Sequence, residues 1–521
     1  MLTPIPMAER TALLIDLVAG WAVTKADDVA LTYGDLTWTW SEWNDRIRRA
    51  AGVLAGAGVR RGDRIAFLDK NNPVCLEVVF AAASLGIATT VVNWRLAGDE
   101  LRYVLQDSGS RIVFVGSEFR DRFDGVADQT PGVERIITVG GEVDGYEALL
   151  AGAPRIGPAA DVADSDDCLI VYSSGTTGRP KGVVLSQQAL VTHTIDVGTA
   201  FAFTGGDKNL VSMPLFHVGG ICFALFGIRS GVPMIMTRDP DLGSLIGGLM
   251  SGATHAFLVP PVISGFLSGG ANAIAAMSRL RYLVYGAAPM PLPLLRQALD
   301  TWPGINFVQV YGQTELAGVA TTLNPVDHRD AGRPGLLLSA GTPASGTELR
   351  IVDLDSGLAI GDGSQGEIWV RTEHAMTRYL NRPEATAETV TSDGWVRTGD
   401  IGYIDGDGYL FVEDRLKDLI ITGGENVYGP EVERVLLAHP AVADAAIIGV
   451  PDEHWGESIK AIVVAGGATA EDIIAFCREH LAGYKCPRTV EFVSALPRNA
   501  SGKILKRELR EPYWSDANPA V

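Results

Sequence analysis

Cysteine is scarce in this chain of 521 residues, and its spacing supports neither a disulfide framework nor a metal site. The five cysteines stand singly, without a C-x-x-C pair. They are Cys75, Cys168, Cys222, Cys477 and Cys486. An odd number of scattered cysteines in a long chain fits a reducing compartment, so each is expected to be a small buried hydrophobe.

Positive charge is scarce as well. Lys and Arg total 43 against 62 Asp and Glu, which gives a formal net charge of −19. Nucleic-acid binding needs a basic surface that displaces counterions, so this class of partner is excluded. Peripheral contact with a membrane stays open but is not indicated by the charge. The carboxylates are interpreted mainly as a solubilising surface, and an anionic ligand would need cations concentrated in one site.

Targeting and membrane-spanning segments are the third absence. The N-terminal segment lacks the basic region of a signal peptide and is interrupted by Glu9 and Arg10, so a cytoplasmic location is expected. Residues 242–278 contain no Asp, Glu, Lys or Arg, as a membrane span would. Pro260, Pro261 and repeated glycines would break a lipid-exposed helix, so this stretch is predicted to be buried α/β core.

Strand-like and helix-like segments alternate through most of the chain. The strand-like runs are Arg64–Leu68, Ala88–Val92, Arg111–Val115 and Arg135–Val139. Between the first two, Val74–Leu85 has the spacing of a packed helix. Strands separated by helices favour parallel sheets with helices on their faces, which is an α/β fold.

The pattern changes near Asp400. Gly402–Val412 predicts a β-hairpin with a Gly-rich turn, and the charged segment Asp414–Asp418 follows it. The segments predicted beyond it are a helix starting near Pro430, strands at Ala443–Val450 and Lys460–Val464, and a helix at Thr469–Leu481. The last part of the chain is long enough for its own small core, so two domains are predicted, at residues 1–416 and 417–521.

A buried-strand run, Cys168–Tyr172, leads into a loop rich in hydroxyls, glycines and cations. The loop residues are Ser173, Ser174, Gly175, Thr176, Thr177, Gly178, Arg179, Pro180, Lys181 and Gly182. Glycines let backbone N–H groups converge, hydroxyls donate hydrogen bonds and cations supply charge, as a polyphosphate cradle requires. The loop is not of the Walker A type, because Pro180 replaces the second glycine and Gly182 replaces the hydroxyl residue after Lys181. A plain flexible turn is the alternative.

Three further segments carry groups suited to a nucleotide. Tyr311–Glu315 places an aromatic ring, a glycine, a hydroxyl and a carboxylate close together, and carboxylates suit Mg²⁺. Gly286–Pro289 offers a run of small residues after a strand. Asp400 and Arg415 lie on either side of the hairpin, where a carboxylate could accept ribose hydroxyls. Taken singly, each segment has a simpler alternative. Tyr311–Glu315 is equally typical of a turn at a strand end, and Gly286–Pro289 of a close-packed turn. Arg415 could form a surface salt bridge.

Together and in this order, these segments closely resemble the motifs of the adenylate-forming superfamily. Its members are acyl-CoA and aryl-CoA synthetases, luciferases and peptide-synthetase adenylation domains, and the resemblance is closest to the fatty-acyl-CoA ligases. It covers nearly the whole chain. It implies a large N-terminal domain of stacked α/β sheets and a small mobile α+β C-terminal domain. It also implies ATP, Mg²⁺ and coenzyme A as ligands.

The resemblance assigns roles to individual residues. Lys181 and the loop residues 173–178 correspond to the phosphate-binding loop, Thr314 to the group on the phosphate and Glu315 to the magnesium ligand. The residues implied around the adenine are Gly286, Ala287, Ala288, Pro289, Tyr311 and Gly312. Asp400 and Arg415 would then bind the ribose.

The second half of the reaction depends on the C-terminal domain. Lys503, in a Gly-containing loop, matches the family's catalytic lysine, which would bridge the acid's carboxylate and the α-phosphate, although an exposed Lys is usually just solvated. Lys417 matches the pivot about which the small domain rotates. Gly423 and Gly424 would line the pantetheine tunnel; a simple Gly turn is compatible with that role.

The acid itself is indicated by the segment around His217. Peptide-synthetase domains usually carry an Asp there for the substrate's ammonium, so its absence argues against amino acids. A His here resembles fatty-acyl and aryl ligases, in which it lines the acid pocket, with a satisfied core histidine as the alternative. Apolar and small neighbours such as Gly219, Gly220 and Phe223 favour a wide hydrophobic slot.

The sequence therefore predicts an ATP-dependent acid–CoA ligase acting through an acyl-adenylate, on a medium- or long-chain fatty acid. An aryl- or steroid-acid CoA ligase is the alternative, as is an adenylate-only enzyme that loads a carrier protein. From another class, a non-catalytic nucleotide-binding protein of the same fold is disfavoured by the intact set of charged residues. A monomer and a homodimer are equally compatible with the sequence.

Overall fold

Four β-sheets organise the chain in the computed structural model, which describes residues 12–96, 98–173, 179–423, 425–452, 454–498 and 502–514. The helices are α1 Asp16–Thr24, α2 Trp40–Gly56, α3 Pro73–Ala83, α4 Gly98–Ser108, α5 Arg120–Ala127, α6 Gly145–Gly152, α7 Gln187–Asp196, α8 Val218–Ser230, α9 Leu242–Met250, α10 Pro260–Ser268, α11 Gly270–Met277, α12 Leu292–Thr301, α13 Pro383–Thr389, α14 Gly429–Leu436, α15 Ala470–His480 and α16 Lys506–Trp514.

The strands number twenty-six in the described residues. They are β1 Val29–Tyr33, β2 Leu36–Thr39, β3 Arg64–Leu68, β4 Ala88–Val91, β5 Ile112–Gly116, β6 Arg135–Val139, β7 Asp167–Ser173, β8 Lys181–Ser186, β9 Asn209–Val211, β10 Met234–Met236, β11 His255–Leu258, β12 Tyr282–Gly286, β13 Asn306–Tyr311, β14 Thr321–Leu323, β15 Thr342–Pro343, β16 Thr347–Val352, β17 Ala359–Ile360, β18 Gly366–Thr372, β19 Arg378–Tyr379, β20 Val396–Ile404, β21 Leu410–Arg415, β22 Ile420–Thr422, β23 Glu425–Val427, β24 Val442–Asp452, β25 Gly456–Ala465 and β26 Thr489–Phe492.

Two large sheets with parallel centres form the body of the molecule. One has the order β15-β14-β13-β12-β11-β9-β10-β1-β2, and the other has the order β19-β8-β7-β4-β3-β5-β6. Antiparallel strands lie only at their margins, for example β14 beside β13 and β8 beside β7. The segments Gly286–Pro289 and Tyr311–Glu315 lie at the ends of β12 and β13, which are neighbouring parallel strands, so both lie at one edge of their sheet.

A third, antiparallel sheet carries the predicted hairpin, in the order β17-β16-β18-β20-β21. The fourth sheet, β23-β22-β25-β24 with β26 beside β25, belongs to the C-terminal part of the chain. Its apolar core includes Ile420, Ile447 and Ile473 and is a cluster separate from those of the other sheets. The predicted fold class, a large α/β domain with a small α+β domain, is confirmed. The boundary between residues 416 and 417 stays a prediction.

Local sequence signals explain several elements. α3 begins after Asn72, whose side chain accepts a hydrogen bond from the Val74 N–H, and Pro73 occupies the first turn. α15 begins with a reciprocal capping box between Thr469 and Asp472. The predicted helices Val74–Leu85 and Thr469–Leu481 lie within two residues of α3 and α15, whereas the predicted strand Lys460–Val464 starts four residues after the observed start of β25.

The charge-free stretch 242–278 forms α9, β11, α10 and α11, which confirms its reading as α/β core. Among the residues described, every helix is too short or too polar to span a bilayer. All five cysteines are buried and free, as expected.

Candidate active site

A tight antiparallel pair frames the loop predicted to bind phosphate. β7 ends at Ser173 and β8 begins at Lys181, and these two residues are register partners. Residues 174–178, which include the predicted Ser174, Gly175, Thr176, Thr177 and Gly178, lie outside the described residues. The Lys181 Nζ lies 4.7 Å from the centre of the Tyr379 ring. The loop's cation is therefore directed toward β19 rather than toward bulk solvent.

Glu315 is held by a partner that the sequence analysis missed. It lies in a single helical turn, Thr314–Leu316, directly after β13, and its side chain is largely buried. The Tyr379 hydroxyl donates a 2.6 Å hydrogen bond to Glu315 Oε1. Burial and the neighbouring carboxylate raise the pKa of Tyr379, so the phenol stays a donor. Tyr379 is in none of the segments singled out in the sequence, and the pairing of β19 with β8 brings it beside Glu315.

This arrangement fits a magnesium ion held partly by a ligand. Within the described ranges, no group of three or more His, Cys, Asp or Glu side chains could hold a metal by itself. Mg²⁺ is commonly bound by one or two carboxylates together with phosphate oxygens and water, because it dehydrates reluctantly. Glu315, oriented by Tyr379 beside the phosphate loop, fits that role.

The hairpin residues Asp400 and Arg415 form an ion pair in which Asp400 is buried and Arg415 is partly exposed. They are register partners on β20 and β21, and the Arg415 Nε lies 2.5 Å from Asp400 Oδ1. The Tyr311 hydroxyl donates to Asp400 Oδ2 at 2.7 Å. Burial, and then Asp400, raise the pKa of Tyr311, which therefore stays protonated. Tyr311 is thus fixed at its hydroxyl end, with its ring beside the end of β13.

The segment predicted to lie under the adenine is placed beside Tyr311 by the sheet. Gly286 ends β12 and is the register partner of Val310 on β13. A Cβ on Gly286 would lie 2.4 Å from the Val310 carbonyl oxygen. Ala287 takes a left-handed φ of 62°, which turns the chain sharply before Ala288 and Pro289.

Lys503 is brought from the far end of the chain to the Asp400–Arg415 pair. Burial, and then Arg415, lower the pKa of Lys503 to about 8, whereas Asp400 opposes this shift. A Cβ on the preceding Gly502 would lie 2.9 Å from Pro261 Cγ of the large domain. The small domain is therefore closed onto the large one, with its predicted catalytic lysine at the cleft.

The predicted pivot and tunnel residues lie beside the cleft. Lys417 occupies a helical turn, Leu416–Asp418, between β21 and β22. Gly423 has a left-handed φ of 59°, and a Cβ there would lie 2.6 Å from the ring of Trp455. Gly424 lies outside the described residues. The absence of a side chain at Gly423 is therefore required by the close approach of Trp455, and its place beside a pantetheine tunnel stays a prediction.

His217 lies at the start of α8, whose first residues lie beside Gly318 in the turn after Glu315. Its Nε2 is buried and makes no hydrogen bond among the described residues, so it is not a satisfied core histidine. Burial and the nearby Arg95 lower the pKa of His217 to about 4, so the ring is neutral at pH 7. Gly220, which the sequence predicted to widen the acid slot, lies against backbone, because a Cβ there would meet the Pro214 carbonyl oxygen. That glycine is required by a backbone approach and not by a wide pocket.

Contacts and electrostatic interactions therefore link six of the predicted residues. Lys181 reaches Glu315 through Tyr379, and Arg415 is within electrostatic range of both Glu315 and Lys503. Asp400 pairs with Arg415 and with Tyr311. In a chain of net charge −19, three cations are thus concentrated at one cleft, as an anionic ligand requires.

Comparison with known proteins agrees with this geometry. The profile of the AMP-binding enzyme family matches residues 18–380, and that of the AMP-binding enzyme C-terminal domain matches residues 431–503. A fatty acid–[acyl-carrier-protein] ligase of Streptomyces coeruleorubidus is 36% identical over 496 residues, covering 92% of each chain.

Two further similarities extend over almost the whole length. A feruloyl-CoA synthase of Amycolatopsis sp. is 36% identical over 508 residues, covering 95% of this chain and 99% of its own. The structure of a Mycobacterium tuberculosis fatty acyl CoA synthetase matches with a TM-score of 0.77 and 33% identity, covering 96% of this chain and 98% of that one. The cleft, the motifs and these similarities lead to one conclusion: the chain belongs to the AMP-binding enzyme family.

Proposed function

We propose that this enzyme is an ATP-dependent acid–CoA ligase. It converts a carboxylic acid, ATP and CoA into acyl-CoA, AMP and pyrophosphate through an acyl-adenylate. The observation that carries this proposal is the convergence of Lys181, Glu315, Arg415 and Lys503 on one cleft. Such a set suits a triphosphate that must lose pyrophosphate.

In the first step, a carboxylate oxygen attacks the α-phosphorus of ATP. A new oxygen–phosphorus bond forms while the bond to the bridging oxygen of pyrophosphate breaks, and that oxygen leaves with the electron pair. Lys503 holds the carboxylate against the α-phosphate, and Lys181 balances charge on the departing phosphates. A magnesium ion bound at Glu315 would neutralise phosphate charge, with Thr314 as a hydroxyl donor to the phosphate.

The nucleoside part of ATP is oriented by groups that are already fixed. Tyr311 and Arg415 each hold one oxygen of the Asp400 carboxylate in place. Each oxygen keeps a further lone pair, and on these Asp400 accepts hydrogen bonds from the ribose hydroxyls. The adenine lies between the Tyr311 ring and the backbone of residues 286–289. This preorganisation keeps the α-phosphate in line with the acid.

In the second step, the thiol of CoA loses its proton to solvent and the thiolate attacks the acyl carbon. A carbon–sulfur bond forms while the bond from the acyl carbon to the AMP oxygen breaks, and AMP leaves with that electron pair. The thiolate sulfur must reach a carbon that Lys503 covers in the closed orientation, so the small domain has to rotate at Lys417. The rotation would bring Gly423 and Gly424 to the pantetheine arm. Closure during the first step also keeps water from the mixed anhydride.

The acid is proposed to be a medium- or long-chain fatty acid. The neutral ring of His217 and the apolar side chains of α8 favour an uncharged acyl group over an amino acid. The similar proteins bear names of fatty-acid and feruloyl enzymes, so an aryl or steroidal acid is the second candidate. The carrier-protein ligase among them makes an adenylate-only enzyme the third.

A screen that measures two products tests the proposal and separates these candidates. Straight-chain, aromatic and steroidal acids are each incubated with ATP and Mg²⁺, with and without CoA, while pyrophosphate release and free thiol are followed. Pyrophosphate together with thiol loss is the expected result for at least one class. Pyrophosphate without thiol loss would favour carrier loading, and no pyrophosphate with any acid would overturn the ligase proposal.

A further inference from the structure

A buried charged cluster at the domain junction is not used by the steps above. Asp414 lies on β21, before the pivot Lys417, and its side chain is 6% exposed. Its Oδ2 accepts a 2.8 Å hydrogen bond from the backbone N–H of Gly429, the first residue of α14. Tyr428, which precedes that helix, makes no side-chain cap. Asp414 therefore caps, from the large domain, a helix that belongs to the small domain.

Lys506 brings a second contact to the same point. A Cβ on Gly429 would lie 2.6 Å from Lys506 Nζ and 3.5 Å from Asp414 Oδ2, so both groups flank this glycine. Lys506 also pairs with Glu433 at 2.8 Å, and Glu433 accepts the backbone N–H of Ile447. Glu433, Lys506 and Gly429 all follow the pivot, whereas Asp414 precedes it.

Contacts at the hinge show which residues move with the small domain. Arg510 of α16 donates to the carbonyl oxygens of Lys417 and Asp418, at 3.1 and 3.3 Å, and pairs with the Asp418 carboxylate. The peptide that follows Lys417 is thereby fixed to the small domain. A rotation about the backbone torsions of Lys417 then carries Gly429 and Lys506 away from Asp414, while Glu433 stays with Lys506.

We propose that Asp414 is a positioning residue that latches the small domain in the closed orientation, by capping α14 and facing Lys506 only while Lys503 is at the cleft. This inference rests on the proposed two-step reaction. It explains why an acidic side chain is buried next to the ribose-binding Arg415 without pairing with it. The latch favours adenylation and is released before the thiol enters.

The test compares Asp414→Asn with Glu433→Gln, which is a matched control. Both changes remove one carboxylate charge beside Lys506, but only Asp414→Asn weakens a contact that crosses the pivot, because its one carbonyl oxygen replaces the two carboxylate oxygens that accept the Arg415 and Gly429 N–H groups. In Asp414→Asn, ATP–pyrophosphate exchange should fall about tenfold, whereas CoA transfer from preformed acyl-adenylate should be unchanged or faster. In Glu433→Gln, the two half-reactions should change by the same factor.

A binding measurement keeps the test independent of the acid. ATP with Mg²⁺ should bind about tenfold more weakly to Asp414→Asn than to the parent enzyme, as measured by calorimetry, because closure accompanies binding. Equal loss of both half-reactions in Asp414→Asn, or ATP affinity equal to that of the parent, would overturn the latch. If the parent enzyme itself binds no ATP, the proposed function fails instead. A variant that does not fold is recognised from its thermal melting. In that case Asp414→Glu, which keeps the charge, replaces Asp414→Asn in the test. It is expected to retain at least part of the pyrophosphate exchange activity.

Discussion

At the scale of single residues, the charge on Lys503 is the most sensitive feature of the cleft. Lys503→Ala should lower ATP–pyrophosphate exchange about a thousandfold, since a charge pair at about 4 Å is worth roughly 4 kcal/mol at a dielectric near 20. CoA transfer from preformed acyl-adenylate should persist. Equal loss of both activities would contradict the division of labour between the two steps.

The same lysine sets a pH dependence. Burial and Arg415 lower its pKa to about 8, so the free enzyme loses the lysine's charge as the pH rises through about 8. The kcat/KM for pyrophosphate exchange should therefore decline above pH 8, because the deprotonated amine cannot hold two anions together. Lys503→Arg, which stays charged, should show no such decline; an unchanged inflection would assign it to another group.

Tyr379 acts on Glu315 through one hydrogen bond. Tyr379→Phe should raise the Mg²⁺ concentration for half-maximal pyrophosphate exchange about tenfold, because a carboxylate without its orienting partner binds the ion less well. Tyr409→Phe removes a similar tyrosine–carboxylate bond, to Asp327, in another part of the molecule and should leave this concentration unchanged. If both variants respond alike, the Tyr379 effect is not specific to the metal.

At the scale of elements, the turn after β13 depends on the absence of a side chain at Gly312. A Cβ there would lie 2.7 Å from the Gly318 carbonyl oxygen and 2.9 Å from the Ala320 nitrogen, both of which are backbone atoms that cannot yield easily. Gly312→Ala should destabilise the fold by about 1–3 kcal/mol and displace Glu315. At Gly304 a Cβ would meet nothing within 4 Å, so Gly304→Ala is the matched control. Denaturant unfolding of the two variants measures the difference, and equal stability would show that the turn relaxes freely.

At the scale of the whole molecule, the proposed two-step reaction requires two orientations of the small domain, with Lys417 as the proposed pivot. Lys417→Pro fixes φ at the pivot and should spare pyrophosphate exchange while lowering thioester formation at least tenfold. In the closed orientation the Leu419 N–H donates to the Arg415 carbonyl oxygen across the pivot, at 3.0 Å, and rotation must break this bond. Thioester formation equal to that of the parent would remove Lys417 from the hinge role.

Much of this protein could be predicted from its sequence because the signals are local. Alternating strands and helices gave the α/β class, and the run of hydroxyls, glycines and cations after Cys168–Tyr172 marked the phosphate loop. The motif Tyr311–Glu315 was recognisable because its residues are adjacent in the chain. Their proposed roles remain predictions, and residues 174–178 of the loop lie outside the described residues.

The sequence by itself determined the family, the order of the motifs and the surplus of negative charge. Only the tertiary structure decided which side chains support them. Tyr379 meets Glu315 across 64 positions, and Asp414 caps a helix beyond the pivot, because strand pairing and domain closure join segments that no local pattern links. The shifted pKa values of His217 and Lys503 depend in the same way on burial, and burial is a property of the folded chain alone.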